Sequence, residues 1–179
     1  MAFRRILSAL FVVVTAVPHF DMGRELVADD RANPLQPLAW AVGGKWVADI
    51  KNPDGSPMRV EASFRWSNHK KAITYDVVFK TKDASWSQYE GTYFWHPGKK
   101  AITLVEVNAH GGVTEGVLKP EGAMLVQTNL NTQADGTPQE QRVELVRKGE
   151  DVFAFEAFVK KDGKFVKAVG FTYSREKSS

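Results

Sequence analysis

From Lys45 onward the chain alternates. Met58, Val60, Ala62, Phe64 and Trp66 are apolar, while Arg59, Glu61, Ser63 and Arg65 between them are polar. Successive side chains of a strand point to opposite faces, so this row predicts a strand buried on one side. The same period of two returns in Ile73, Tyr75, Val77 and Phe79, and in Tyr89, Tyr93 and Trp95. It returns again in Phe153, Phe155, Ala157 and Val159, and in Phe165, Val169, Phe171 and Tyr173. Ahead of all these, Leu35, Leu38, Trp40, Ala41 and Val42 recur at helical spacing. Asn33 as a cap, Pro34 as a tolerated first residue and Gly43-Gly44 as a stop predict one short helix there.

Turn signals separate the rows: Asn52 to Gly55, Asn68-His69, Lys82-Asp83, His96 to Gly98, Gly111-Gly112, Pro120 to Gly122, Ala134 to Gly136, Lys148-Gly149 and Asp162-Gly163. These residues accept a positive φ or preset a turn. They divide the chain into about ten strands, and connections this short force neighbours to pair antiparallel. A twisted sheet of that size closes on itself or splits into two layers, which removes exposed edges. The expected fold is therefore all-β. It is an antiparallel up-and-down barrel of about ten strands, or a closely related sandwich, with a short N-terminal helix across one mouth.

The first residues read differently. A basic start through Arg4 and Arg5 precedes an apolar run from Ile6 to Val17, then Pro18 and a polar stretch. That is the plan of a secretory signal peptide, and Val14-Thr15-Ala16 offers a cleavage site after Ala16. A run of about 12 residues falls short of the roughly 20 that span a bilayer core. The expected organisation is a leader over 1–16, a loose mature N-terminus over 17–34, and one barrel domain over 35–179. The expected location is outside the cytoplasm, periplasmic or secreted, without a stable membrane span once the leader is removed.

The chain has 179 residues, room for one sizeable core. Its formal charge of +3 includes Arg4 and Arg5, so the mature chain is nearly balanced. No run of five like charges occurs, which argues against a nucleic-acid partner. There is no cysteine, so disulfides, thiolate metal sites and cysteine catalysis are excluded. The four histidines, His19, His69, His96 and His110, lack metal-ligand spacing, and neither a metal nor a cofactor is expected. No nucleophile elbow, phosphate loop or dinucleotide fingerprint is present either.

Polar residues inside strands carry more information. Gln127 and Asn129 share a face with Leu125, and Glu106 shares one with Leu104 and Ile102. Glu90 falls in line with Trp86 and Phe94. A carboxylate turned toward a closed interior is costly unless paired, and its pKa shifts. Trp46, Trp66, Tyr75, Tyr93, Trp95 and Phe155 read as core or as cavity walls, since a ten-strand barrel is wide enough to hold a small guest. The candidate cavity lining is Trp46, Trp66, Tyr75, Glu90, Tyr93, Trp95, Glu106, Gln127 and Phe155, with no catalytic residue assigned.

Several blocks bring a family with them. The segment Leu38-Ala-Trp-Ala-Val-Gly-Gly-Lys-Trp46 resembles the opening of calycin-like barrels, where a short helix leads into the first strand. Glu90-Gly-Thr-Tyr-Phe-Trp-His-Pro97, Gly111-Gly-Val-Thr-Glu-Gly116, Asp162-Gly-Lys164 and Thr172-Tyr-Ser-Arg175 extend the match from about Leu35 to Arg175. In this order they resemble an uncharacterised bacterial family of lipocalin-like proteins, often exported. The resemblance implies a barrel with an internal cavity for a small apolar ligand and no established activity. The chain is more distantly similar to nitrobindin-type barrels, which ligate haem iron through a histidine near the C-terminal strand; no histidine follows His110. The leading expectation is a non-enzymatic, exported barrel binding a small hydrophobic or amphiphilic molecule. A filled barrel acting as an envelope interaction module, and an enzyme with its site at the barrel mouth, are the alternatives. Oligomeric state is left open by the sequence.

Overall fold

The computed structural model describes residues 33–176, in which every turn signal falls at or beside a hairpin. Ten strands follow one short helix: β1 (Lys45–Lys51), β2 (Pro57–Trp66), β3 (Ala72–Lys80), β4 (Ser85–His96), β5 (Ala101–Asn108), β6 (Val113–Glu121), β7 (Met124–Thr132), β8 (Pro138–Arg147), β9 (Val152–Lys161) and β10 (Lys164–Glu176). Each strand pairs antiparallel with the next, and β10 returns to β1, closing the barrel. The seam between β1 and β10 is the narrowest pairing, with only Lys45, Trp46 and Val47 in register against Glu176, Arg175 and Ser174. The expected leader over 1–16, and the stretch after it as far as residue 32, lie outside the described residues. No described helix is long and apolar enough to cross a membrane.

The helix, Gln36–Ala41, is a 3-10 helix. It starts two residues later than the sequence spacing suggests, with a proline in its first turn rather than Pro34 at its head. Asn33 still organises the entry, since its side-chain oxygen accepts from the Leu35 N–H at 3.0 Å and its carbonyl from Gln36 at 2.8 Å. Leu35 and Leu38 are fully buried and plug one end of the barrel together with Trp46 and Phe153. The rings of Trp40, Trp46 and Phe153 meet edge to face with centroids 4.9–5.9 Å apart.

Arg175 clasps this end shut. Its guanidinium stacks 4.1 Å from the Trp46 ring, donates to the carbonyls of Trp40 (2.6 Å), Val42 (3.3 Å) and Gly43, and pairs with Asp151 at 3.1 Å. Trp46 itself donates from Nε1 to the Ala41 carbonyl at 2.7 Å. The helix's last carbonyls are thus satisfied from β1 and β10.

Two bulges alter the simple alternation. Between Val77 and Val78 the β3–β4 register slips, so that Trp86 faces the same way as Phe79 while Glu90 falls opposite Asp76 on the outer face. A second slip, between Lys167 and Val169, sets Val166 opposite Val159 on the inward row. Phe165, which sequence parity groups with Val169 and Phe171, therefore belongs to the outer row and is 42% exposed. A bulge adds one unpaired residue, and beyond it the faces exchange.

On the outer wall, Glu61 is nearly buried beneath Lys80 (2.9 Å), Lys45 (3.2 Å) and Arg59 (3.2 Å). Burial alone would push its carboxyl up; hydrogen bonds from the three cations outweigh it and hold the pKa at about 2. This knot ties β1, β2 and β3 together near the seam.

Candidate functional site

The interior holds a cavity of about 450 Å³. Plugged at the helix end by Trp46, Leu35 and Leu38, it reaches toward the other mouth, where Ile50, Met58, Phe79, Asn108, Gln141 and Val159 stand near the turns. Its volume lies in the range that accommodates small organic ligands.

The wall has two chemically different sides. Strands β8 to β10 and β2 supply Val143, Phe155, Ala157, Phe171, Val60 and Phe64. Strands β3 to β7 supply Tyr75, Tyr93, Glu106, Thr114, Gln127, Asn129 and Asn131. Alternation explains why the polar groups gather. Gln127, Asn129 and Asn131 are successive inward positions of β7, Thr114 is inward on β6, and Glu106 is inward on β5.

Glycine completes the arrangement at two places. Tyr75 on β3 is paired with Gly91 on β4, which is paired with Glu106 on β5. With no side chain at Gly91, the Tyr75 ring lies across β4, and its hydroxyl donates to Glu106. A Cβ at residue 91 would sit 2.6 Å from that ring. Likewise Asn129 folds over its partner Gly116, where a Cβ would meet the Asn129 side-chain oxygen at 1.9 Å. That oxygen is buried without a hydrogen-bond partner.

The hydrogen bonds have a direction. Asn131 donates to Thr114 at 2.7 Å, Thr114 stands opposite Glu106 in the β5–β6 register, and Tyr75 donates to the Glu106 carboxyl. Tyr93 donates to the Gln127 oxygen at 2.7 Å, leaving the Gln127 amide nitrogen as a donor. Burial raises the Glu106 pKa, partly offset by the neighbouring Tyr75 and Thr114 hydroxyls. Burial also pushes the phenols of Tyr75, Tyr93, Tyr89 and Tyr173 upward, so all four stay protonated donors.

Of the residues singled out from sequence, Tyr75, Tyr93, Glu106, Gln127 and Phe155 line the cavity. The other four do not. Trp46 is consumed by the plug. Trp66 packs on the core at the helix end of β2. Trp95 has the inward parity of Tyr93, yet it lies near the end of β4 and is 39% exposed. Glu90, adjacent to the inward Tyr89 and Gly91, faces solvent by simple alternation, beside Ser87; the bulge parts it from Trp86. Thr114, Asn131, Tyr89 and Tyr173 also line the cavity; the run Gln127-Thr-Asn129-Leu-Asn131 is the signal that could have found Asn131.

Glu106 and Tyr93 share the chamber, whereas Glu90 and His96 stand outside it. Their hydroxyl and carboxyl are engaged with Gln127 and Tyr75 rather than with each other. His69, His96 and His110 lie at turns or a strand end, and none lines the cavity. Among the described residues no three His, Asp or Glu side chains cluster as a metal site.

Comparison with known proteins bears on the fold. No protein-family model matches the chain, and no curated protein matches it. Among solved structures it is similar to the crystal structure of Rv2717c from M. tuberculosis, with a TM-score of 0.53 and 15% identity. The match covers 82% of this chain and 99% of that one. What the two share is the fold.

Proposed function

We propose that this barrel binds a small amphiphilic molecule in its interior, as a carrier or sensor rather than as an enzyme. The carrying observation is the two-sided chamber of about 450 Å³, mostly apolar along β8–β10 and β2, with Gln141 as an exception, and polar along β5–β7. A purely structural interior would be packed to the density of a solid, and voids of this size destabilise the wall that surrounds them. An amphiphile seated here removes apolar surface from water on one side and meets fixed hydrogen-bonding groups on the other.

Export is part of the reading. It rests on the basic start, the apolar run from Ile6 to Val17 and the small-residue exit Val14-Thr15-Ala16. A resident of an envelope compartment that ferries or stores an amphiphile fits both the leader and the chamber.

Calorimetric titration of the full chain with decanol tests the ligand-binding claim. One molecule per chain, saturating with a negative heat-capacity change, is the expected result, because buried apolar surface carries that signature. Absence of saturable heat at ligand concentrations up to the solubility limit would overturn it.

A further inference from the structure

We propose that the head of this ligand is a protonated amine, seated against the Glu106 carboxylate with its tail along the Phe155 and Phe171 side. The inference rests on the chamber being a ligand site and concerns which ligand it takes.

The ionisable groups of the wall are unbalanced. Glu106 is the one Asp or Glu among the described lining residues, which include no Lys, Arg or His. Nor does Glu106 form an ion pair with any described cation, whereas Glu61, the other largely buried carboxylate, is paired with Lys80, Lys45 and Arg59. A carboxylate in a low-dielectric setting without a counter-charge is unfavourable, and a cation delivered by a ligand relieves that cost.

The hydrogen bonds prepare Glu106 as an acceptor. Tyr75 donates to Glu106, and Thr114, the register partner of Glu106 on β6, accepts from Asn131 beside it. A carboxylate has about four lone-pair sites, and the Tyr75 bond leaves it able to receive an ammonium head that carries three donors. Charge-assisted bonds of this type are roughly twice as strong as neutral ones.

The surroundings favour a cation as well. Phe64, Tyr75 and Tyr93 form a ladder of stacked rings with centroids 5.5 and 5.3 Å apart, running from the apolar side at β2 across β3 to β4, next to the strand that bears Glu106. Aromatic faces attract ammonium groups, more strongly when water is excluded. A fatty acid would meet the opposite situation, placing its carboxylate beside another with no guanidinium or ammonium on the lining to receive it. The wall thus selects against anionic heads as much as for cationic ones.

Three ligands of one chain length, decylamine, decanol and decanoate, separate these readings when titrated into the full chain at neutral pH. The expected order is amine tightest by about tenfold or more over the alcohol, with the carboxylate weakest. Glu106→Gln keeps the shape and the Tyr75 acceptor, and is expected to collapse the amine preference. Glu90→Gln removes a carboxylate from the outer face of β4 and is expected to keep it. The wild-type series decides the matter even if Glu106→Gln fails to fold. Decanol binding without an amine preference, or decanoate binding as tightly as decylamine, overturns the head-group assignment while the chamber stands. Failure of all three to saturate overturns both.

Discussion

Ala157→Trp is expected to abolish decanol binding, weakening it by at least about tenfold, while the barrel stays folded. Ala157 lies inward on β9, facing Val143 of β8 and Val169 of β10, and lines the chamber. An indole projected from this position occupies the space where an apolar tail would lie. In a packed core the same substitution forces strained rotamers and costs roughly 1–3 kcal/mol. Here it enters a cavity, so the melting temperature is expected to hold or rise. The paired readout is what matters: binding lost and stability kept. A drop in stability with binding retained would place the ligand elsewhere on the molecule.

Trp46→Ala is expected to have the largest effect on stability. The ring is fully buried against Trp40 and Phe153, its Nε1 holds the Ala41 carbonyl, and Arg175 stacks on its face. Truncating a buried tryptophan costs about 3–5 kcal/mol. For a domain of this size that corresponds to a fall of roughly 10 °C or more in Tm. The loss reaches further than packing, because Arg175 loses the surface that orders it while it bridges the helix to β10. Thermal denaturation followed by circular dichroism measures the shift. Trp46→Phe preserves an aromatic face for Arg175 and loses the indole bond, so a smaller drop is expected. Equal drops for the two variants would show that the hydrogen bond, rather than the packing, holds the plug.

The barrel was legible in the sequence because its determinants are local. Rows such as Met58 to Trp66 alternate without interruption, and the breaks between rows fall where the hairpins turn. Closure followed from strand number and the cost of free edges, neither of which needs side-chain detail. The polar half of the site was legible in part, since Glu106 and Gln127 keep the parity of apolar neighbours. What sequence parity could not carry was an inserted residue. The bulges near Tyr89 and Ala168 exchange faces: the first parts Trp86 from Glu90 and Phe94, with which parity groups it, and the second sends Phe165 outward. Position along a strand was equally hidden. Trp95 points inward by parity but stands where the wall ends, and Trp46 belongs to the plug because Arg175, far away in the chain, closes over it. The roles of Gly91 and Gly116 also depended on the register of three strands at once, which no single segment encodes.

Location of a heavy-atom-labelled ligand tests the central claim most directly. Crystals of the full chain grown with decanol brominated at its far end would report the tail by anomalous scattering. The expected peak lies inside the barrel beside Phe155, Ala157 and Phe171, with the alcohol toward Glu106. A bromine peak on the outer wall, or an unoccupied interior at saturating ligand, would contradict it.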